Sequence, residues 1–371
     1  MKVLLVIDHF GSGGAQRQLV YLATGLKRLG HQVECFVYYP EFSFFRAQLD
    51  GAGIAVHAVP KRGRLGIGVV AALRRQILQG RFDAVIAFME TPSIYAELAA
   101  MGLRSVRVLV SERVDPEPGP ASPMLRLRAV LHRRAARIVT NSYTCMDDWN
   151  RRFPRLRRRM AVVWNGVDLA AFAELAAAAR AVEVEVLLAV GTIVPRKNAH
   201  GIVAALAELR RRGRPVPAVW WLGKQDPTTT GRAYFAELNR QINENGLQDR
   251  WRWCGEHADV LPYYAKADAL LHPSFREGLS NAVCEGLAAG LPVLAGEVGD
   301  NNRMVANDRG MLFDPRDTSS IADCIERFCA LTEAERVRMQ QSARRFAERE
   351  LGVDRFVAEF ETLLRDVTRI P

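Results

Sequence analysis

Glu277 and Glu285 lie within "SFREGLSNAVCEGLAAGLPVL", with seven residues between them. The intervening "GLSN" reads as the opening of a helix that begins near Ser280. A helix start turns backbone N–H groups and the positive end of its dipole outward, which suits a phosphate. One carboxylate before that start and one on its second turn can flank such a phosphate. Each can accept two hydroxyl protons, as carboxylates do with vicinal diols. A diphosphate with a sugar diol on one side and a ribose diol on the other has this layout. Upstream, "VGTIVPRKN" follows an apolar run and places Arg196 and Lys197 side by side, with Asn198 as a helix cap. Two adjacent cations suit a diphosphate. Alone, this loop reads as a solvated basic turn; the two glutamates downstream give it a partner.

A third feature lies near the amino terminus. "VIDHFGSGGAQRQLVYLA" carries an apolar run into a turn with Gly11, Gly13 and Gly14, followed by a helical pattern. A dinucleotide fingerprint would set its third glycine at position 16, where Gln16 stands, although Glu34 occupies the place of a ribose carboxylate. A nicotinamide-dependent dehydrogenase therefore fails on Gln16 and leaves Glu277 and Glu285 unexplained.

These groups need elements to hold them. Strand-like runs fall near 3–7, 33–38, 83–88, 106–110, 137–140 and 161–164, with helical patterns at 15–29, 68–79, 92–101 and 123–136. The alternation pauses at residues 168–185, an alanine-rich stretch that reads as a linker or hinge helix, and then restarts. Strands follow in "VEVLLAVG", "AVWWLG", "DRWRWCG", "ADALLHP" and "PVLAG", and residues 319–368 read as helical with a break at Gly352. Alternation predicts parallel sheets covered on both faces, and 371 residues suit two such domains. The expected class is α/β: two Rossmann-like doubly wound domains facing across a cleft. The expected limits are 1–172 and 173–352, with a helix at 353–371 crossing back to the first domain.

Composition narrows the partners. No apolar run approaches the roughly 20 residues that span a bilayer. "MKVLLVIDHF" reads as a first strand rather than a signal peptide. The six cysteines are scattered and make no Cys-x-x-Cys, which argues for a reducing cytosol and against a disulfide framework or zinc site. The net charge of +10 is uneven: residues 1–170 hold 25 Lys+Arg and 13 Asp+Glu, and the rest hold 26 and 28. Arginines 126, 128, 133, 134 and 137 fall in one expected helix, and 151, 152, 155, 157, 158 and 159 follow another. No aromatic ladder or nucleic-acid motif accompanies them, so nucleic acid is not the expected partner. An anionic membrane surface is.

The Glu-x7-Glu segment resembles the donor signature of retaining GT-B glycosyltransferases of family 4. "VGTIVPRKN" is similar to that family's basic donor loop, and "GSGGAQRQLVYLATGLKRLGHQV" to its amino-terminal glycine loop. "ARIVTNS", "VVWNGVDLAAF" and "AKADALLHPS" resemble further family segments, in the family's order over nearly the whole chain. The resemblance implies transfer of a sugar from a nucleoside diphosphate sugar, UDP by family frequency, with retained configuration. The chain has no Asp-x-Asp, so no metal or other cofactor is expected. The resemblance also implies that Arg196 and Lys197 neutralise the diphosphate and that Glu277 holds sugar hydroxyls. It gives phosphate-binding amides to Gly278, Leu279 and Ser280, and the ribose to Glu285. Gly13 and Gly14 would close the site, and Glu256 would lie near the base. Thr192 departs from the family's usual arginine. "VLVSERVDPEPG" departs from its usual histidine, so that Glu112 or Arg113 would contact donor or acceptor. With the basic first half, the expected acceptor is a lipid-linked glycan of a surface polysaccharide. The expected location is cytoplasmic, at the inner membrane face. A catalytically silent sugar-nucleotide-binding module is the alternative.

Overall fold

The computed structural model describes residues 1–113, 119–177 and 184–368. It divides into two compact units, Met1–Gly166 together with the chain from Val353 onward, and Val167–Gly352.

In the first unit seven parallel strands form one sheet. They are β1 (Lys2–Val6), β2 (Gln32–Val37), β3 (Ala55–Ala58), β4 (Ala84–Phe88), β5 (Arg107–Glu112), β6 (Arg137–Thr140) and β7 (Met160–Val162), in the order β3-β2-β1-β4-β5-β6-β7. The central strands "KVLLV" and "AVIAF" are apolar without alternation because helices cover both faces of a parallel sheet. The helix Gly14–Arg28 buries Leu19, Leu22 and Leu26 against this sheet. The last helix, Val353–Thr368, returns and packs on it through Phe356, Val357, Phe360 and Leu364. The two helices approach so closely that a Cβ on Gly25 would sit 2.3 Å from Val357 Cγ2.

In the second unit six parallel strands form the other sheet. They are β8 (Val186–Val190), β9 (Ala218–Leu222), β10 (Trp251–Gly255), β11 (Ala269–His272), β12 (Val293–Gly296) and β13 (Gly310–Phe313), in the order β10-β9-β8-β11-β12-β13. Each sheet thus starts at its centre, runs outward one way and then jumps back across its first strand. The order reverses between β1 and β4 and between β8 and β11. Such switch points, beyond the carboxyl ends of the strands, are where sheets of this type bind ligands.

The structure departs from the sequence expectations in four places. Two edge strands, β3 and β13, are additional; each is four residues long. The helix expected over 123–136 stops at Leu131. The tail is interrupted a second time, at Thr332, whose hydroxyl and Glu335 form a reciprocal capping box for the helix Glu333–Glu350. The boundary between units falls at 166/167 rather than 172/173. Val167 N–H donates to Leu351 O at 2.7 Å and Phe172 packs edge-on against Tyr264, which ties this stretch to the second unit. The alanine-rich stretch forms a short helix, Ala173–Ala177, and its continuation at 178–183 lies outside the described residues.

Candidate functional site

The loop after β8 and the loop after β11 meet at the second unit's switch point. Asn198 fastens them. Its backbone is left-handed (φ 57°), and its side-chain oxygen accepts from Gly201 N–H, capping the helix Ala199–Arg211. Its amide donates to the carbonyls of Pro273 and Pro315. Phe275 N–H donates to Arg196 O at 2.9 Å. These bonds carry Arg196 and Lys197 to Glu277. Lys197 Nζ pairs directly with Glu277 Oε1, and Arg196 Nη1 lies 3.5 Å from the same oxygen. Arg196 remains 60% exposed, whereas Lys197 and Glu277 are 12% and 13% exposed. Burial pushes the Glu277 carboxyl up, but Lys197, with His272 and Arg196, outweighs it and holds it at about 2. His272, the last residue of β11, is buried 3.9 Å from Glu277 Oε1. Burial, reinforced by Lys197, brings its imidazole down to about 3, so it is neutral at physiological pH.

Glu277 leads into Gly278, Leu279 and Ser280, and Ser280 heads the helix Asn281–Ala288 without a side-chain cap. Glu285 sits on that helix's second turn, buried, with Tyr264 donating to its Oε2 at 2.7 Å. The arrangement is a carboxylate on either side of a helix start with two cations beside the first. A second loop braces it: Asp300 N–H donates to Gly278 O, and Gly299 is left-handed at φ 56°. Any Cβ at 299 would lie 2.2 Å from Glu277 O and 2.6 Å from Gly278 O. Both atoms are backbone and cannot swing away. Gly299→Ala is therefore expected to lower stability by about 2 kcal/mol or more through strain and overpacking. It should also displace the 277–280 loop, measurable as a lowered denaturation midpoint. Glu256, by contrast, lies past the end of β10, half-exposed, with Lys224 Nζ 3.6 Å away.

In the first unit Gly13 caps the helix that Gly14 begins. The Gln16 side chain folds over Gly13 and donates to Asp8 Oδ1 at 3.1 Å; a Cβ on Gly13 would meet Gln16 Oε1 at 2.0 Å. Glu112 ends β5 and is 1% exposed. One oxygen lies 3.0 Å from His132 Nε2 and the other pairs with Arg128. His132 reaches Glu97 with its second nitrogen, at 2.9 Å. Arg113 is buried beside Phe88, with its guanidinium 4.4 Å from the ring centre, and donates to Ser111 Oγ and Asn165 Oδ1.

Two family models match in succession: one described as Glycosyltransferase Family 4 over residues 12–171, and one as Glycosyl transferases group 1 over residues 184–330. The chain belongs to the family 4, group 1 glycosyltransferases. This family 4 chain is 28% identical over 198 residues to the O-antigen chain mannosyltransferase B of Escherichia coli, covering 51% of its own length and 44% of the relative's. It is 30% identical over 168 residues to the GDP-mannose-dependent alpha-(1-6)-phosphatidylinositol monomannoside mannosyltransferase of Mycobacterium tuberculosis, covering 43% and 42%. It thus spans less than half the length of these two relatives. Its fold is similar to that of Anabaena HepE in complex with UDP, with a TM-score of 0.83, 20% identity, and 99% and 100% of the two chains covered. Both of its units are Rossmann-like, as in the GT-B glycosyltransferases.

Of the residues expected at a site, Arg196, Lys197, Glu277, Gly278, Leu279, Ser280 and Glu285 come together on the second unit. Gly13 and Gly14 form their own turn on the first. The expectation that Glu112 meets a substrate is not supported by its placement, because both of its oxygens are engaged and its side chain is enclosed. Its carboxylate joins the end of β5 to His132 and Arg128. Residues 114–118, which continue this segment, lie outside the described residues. Sequence reasoning missed Tyr264 and Gly299 altogether. Neither is near Glu277 or Glu285 in the chain, and only the register of neighbouring strands brings them there.

Proposed function

We propose that this chain transfers a sugar from a nucleoside diphosphate sugar, a UDP-sugar by preference, to a hydroxyl acceptor with retained anomeric configuration. The Lys197–Glu277–Arg196 triad before the Ser280 helix start, at a switch point, carries this reading. The diphosphate lies against the helix start, where Arg196 and Lys197 meet the charge that develops as the sugar–oxygen bond breaks. Glu277 accepts from sugar hydroxyls and Glu285, aligned by Tyr264, from the ribose. The acceptor oxygen bonds to the anomeric carbon on the face the diphosphate leaves, and its proton passes to the leaving phosphate oxygen. The proposal assigns no metal to this chemistry, and turnover unchanged by excess chelator would agree with it.

The acceptor we propose is a lipid-linked glycan in surface polysaccharide assembly, reached from the inner face of the cytoplasmic membrane through the basic first half. The O-antigen relative and the phosphatidylinositol monomannoside relative support that choice. No described helix is long and apolar enough to cross a membrane, and the contact we propose is peripheral. The Anabaena complex with UDP favours uridine, while the Mycobacterium relative uses GDP-mannose, so the base is the part to measure first.

A thermal-shift panel of UDP, GDP and their sugars makes that measurement, since a ligand of the folded chain raises its melting temperature by mass action. UDP and a UDP-sugar should raise it. Glu285→Ala should weaken that binding by about 1.5–3 kcal/mol, the worth of a charged hydrogen bond. Glu277→Ala should lower turnover more. No shift with any nucleotide would remove the donor assignment. Binding without turnover, even by slow hydrolysis, would make the chain a silent binding module.

A further inference from the structure

The arginine-rich stretch of the first unit is not a uniform basic surface. Arg128 is buried and paired with Glu90 and Glu112. Arg152 pairs with Asp148, and Arg159 donates to Ala135 O. Arg126, Arg133 and Arg134 are the ones exposed on and just after the helix Pro123–Leu131. That helix turns Leu125, Ala129 and Leu131 inward, yet it leaves Met124, Leu127 and Val130 exposed at 53%, 46% and 53%. These three recur every third residue, so they follow one another along one side of the helix. Residues 119–137 contain no Asp or Glu. Along its own helix the apolar stripe is flanked by arginines and by no acidic residue, which is the pattern of a helix that lies in a membrane interface.

We infer that the helix Pro123–Leu131 docks on an anionic bilayer, with Leu127 and Val130 among the acyl chains and Arg126, Arg133 and Arg134 at the headgroups. Charge complementarity selects this occupant. Nucleic acid shares the negative charge, but an aliphatic stripe offers bases no ring to stack on and gains nothing from phosphate. The inference deepens the membrane part of the proposed function by naming the contact, and it distinguishes an inserted helix from a merely attracted basic surface. Arginines alone would release when salt screens them, whereas buried leucine and valine would not.

Co-sedimentation with phosphatidylcholine vesicles, with and without phosphatidylglycerol, tests it. The full chain should bind the anionic vesicles far more strongly than the neutral ones, and raised salt should weaken but not abolish binding. Arg126→Gln, Arg133→Gln and Arg134→Gln together should reduce binding on the order of a hundredfold. Leu127→Ser with Val130→Ser, both already exposed, should reduce it about tenfold by removing the inserted surface. Unchanged binding by the serine variant, equal binding to neutral vesicles, or no binding at low salt would each overturn the inference. So would a dimer of the wild type that the serine variant dissolves, since a second copy would then cover the stripe. The nucleotide thermal shift of each variant, measured without vesicles, should match wild type. Loss of that shift in the wild type as well would instead count against the donor assignment.

Discussion

Lys197→Ala should unfold the chain at markedly lower denaturant and weaken diphosphate binding in the same stroke. Lys197 and Glu277 form a pair that is nearly nine-tenths enclosed, beside a neutral His272. Removing the lysine leaves the carboxylate with the exposed Arg196, 3.5 Å away, and the neutral His272, 3.9 Å away. Stranding a buried charge costs about 3–5 kcal/mol. The Glu277 carboxyl should then rise from about 2, because burial persists and its chief counter-charge is gone. A carboxyl lowered from 4.5 to about 2 contributes stability that is present above 4.5 and is lost as pH falls through about 2. The variant should lose that acid limb. Adding Glu277→Gln to Lys197→Ala should restore much of the stability, since no charge is left unpaired, but not the affinity for UDP. Adding Arg196→Ala instead should weaken UDP and UDP-sugar alike while uridine is barely affected. Wild-type stability and UDP binding in Lys197→Ala would put the phosphate site elsewhere.

The sequence reveals this pair because its logic is local. Arg196, Lys197 and Asn198 are consecutive, Glu277 and Glu285 share one loop and helix, and the loops follow apolar runs that read as strands. Placing the two loops together needs only the rule that parallel strands present their carboxyl ends on one side. Other features are less accessible for physical reasons. The edge strand β3 carries His57 among alanines rather than a bulky apolar run, and β13 begins at Gly310, where a Cβ would lie 1.9 Å from Val293 O. A glycine there reads as a turn, whereas its real reason is close packing of neighbouring strands. Counting arginines overstates the free positive charge, since Arg128 is paired in the interior. Counting charge also misses the apolar stripe of Met124, Leu127 and Val130, because their exposure depends on which side of the helix meets the sheet. The enclosure of Glu112 is hidden for a similar reason: Glu97, Glu112 and the Arg128–His132 pair are well separated in the chain and become one cluster only when β5 and two helices pack.

That cluster sets the other large effect. Stability should fall as pH rises from about 6.5 to about 9, by as much as about 3 kcal/mol. His132 is enclosed between Glu97 on the helix Glu90–Ala99 and Glu112 on β5, and Arg128 pairs with Glu112 from the helix Pro123–Leu131. Burial alone would make its imidazole neutral, but hydrogen bonds to Glu112 and Glu97 outweigh that and raise it from 6.5 to about 9. A histidine raised in the folded state contributes stability that is complete below its unfolded value and is lost as pH climbs through its folded one. Glu112 is lowered and Glu97 raised from 4.5, so Glu112's linkage lies on the acid side and Glu97's begins there with the opposite sign. His132→Gln should therefore cost stability at pH 6, where the charged imidazole is worth most, and lose less thereafter as pH rises. Its unfolding free energy should run nearly flat to pH 9 and approach that of wild type there. Since Glu112 ends β5 beside Arg113, the same variant should also loosen that strand end, seen as faster amide exchange at Ser111 and Glu112. A wild-type chain whose stability stays level between pH 6.5 and 9, or a His132→Gln variant that keeps the decline, would show that the imidazole is not the charged centre of this cluster.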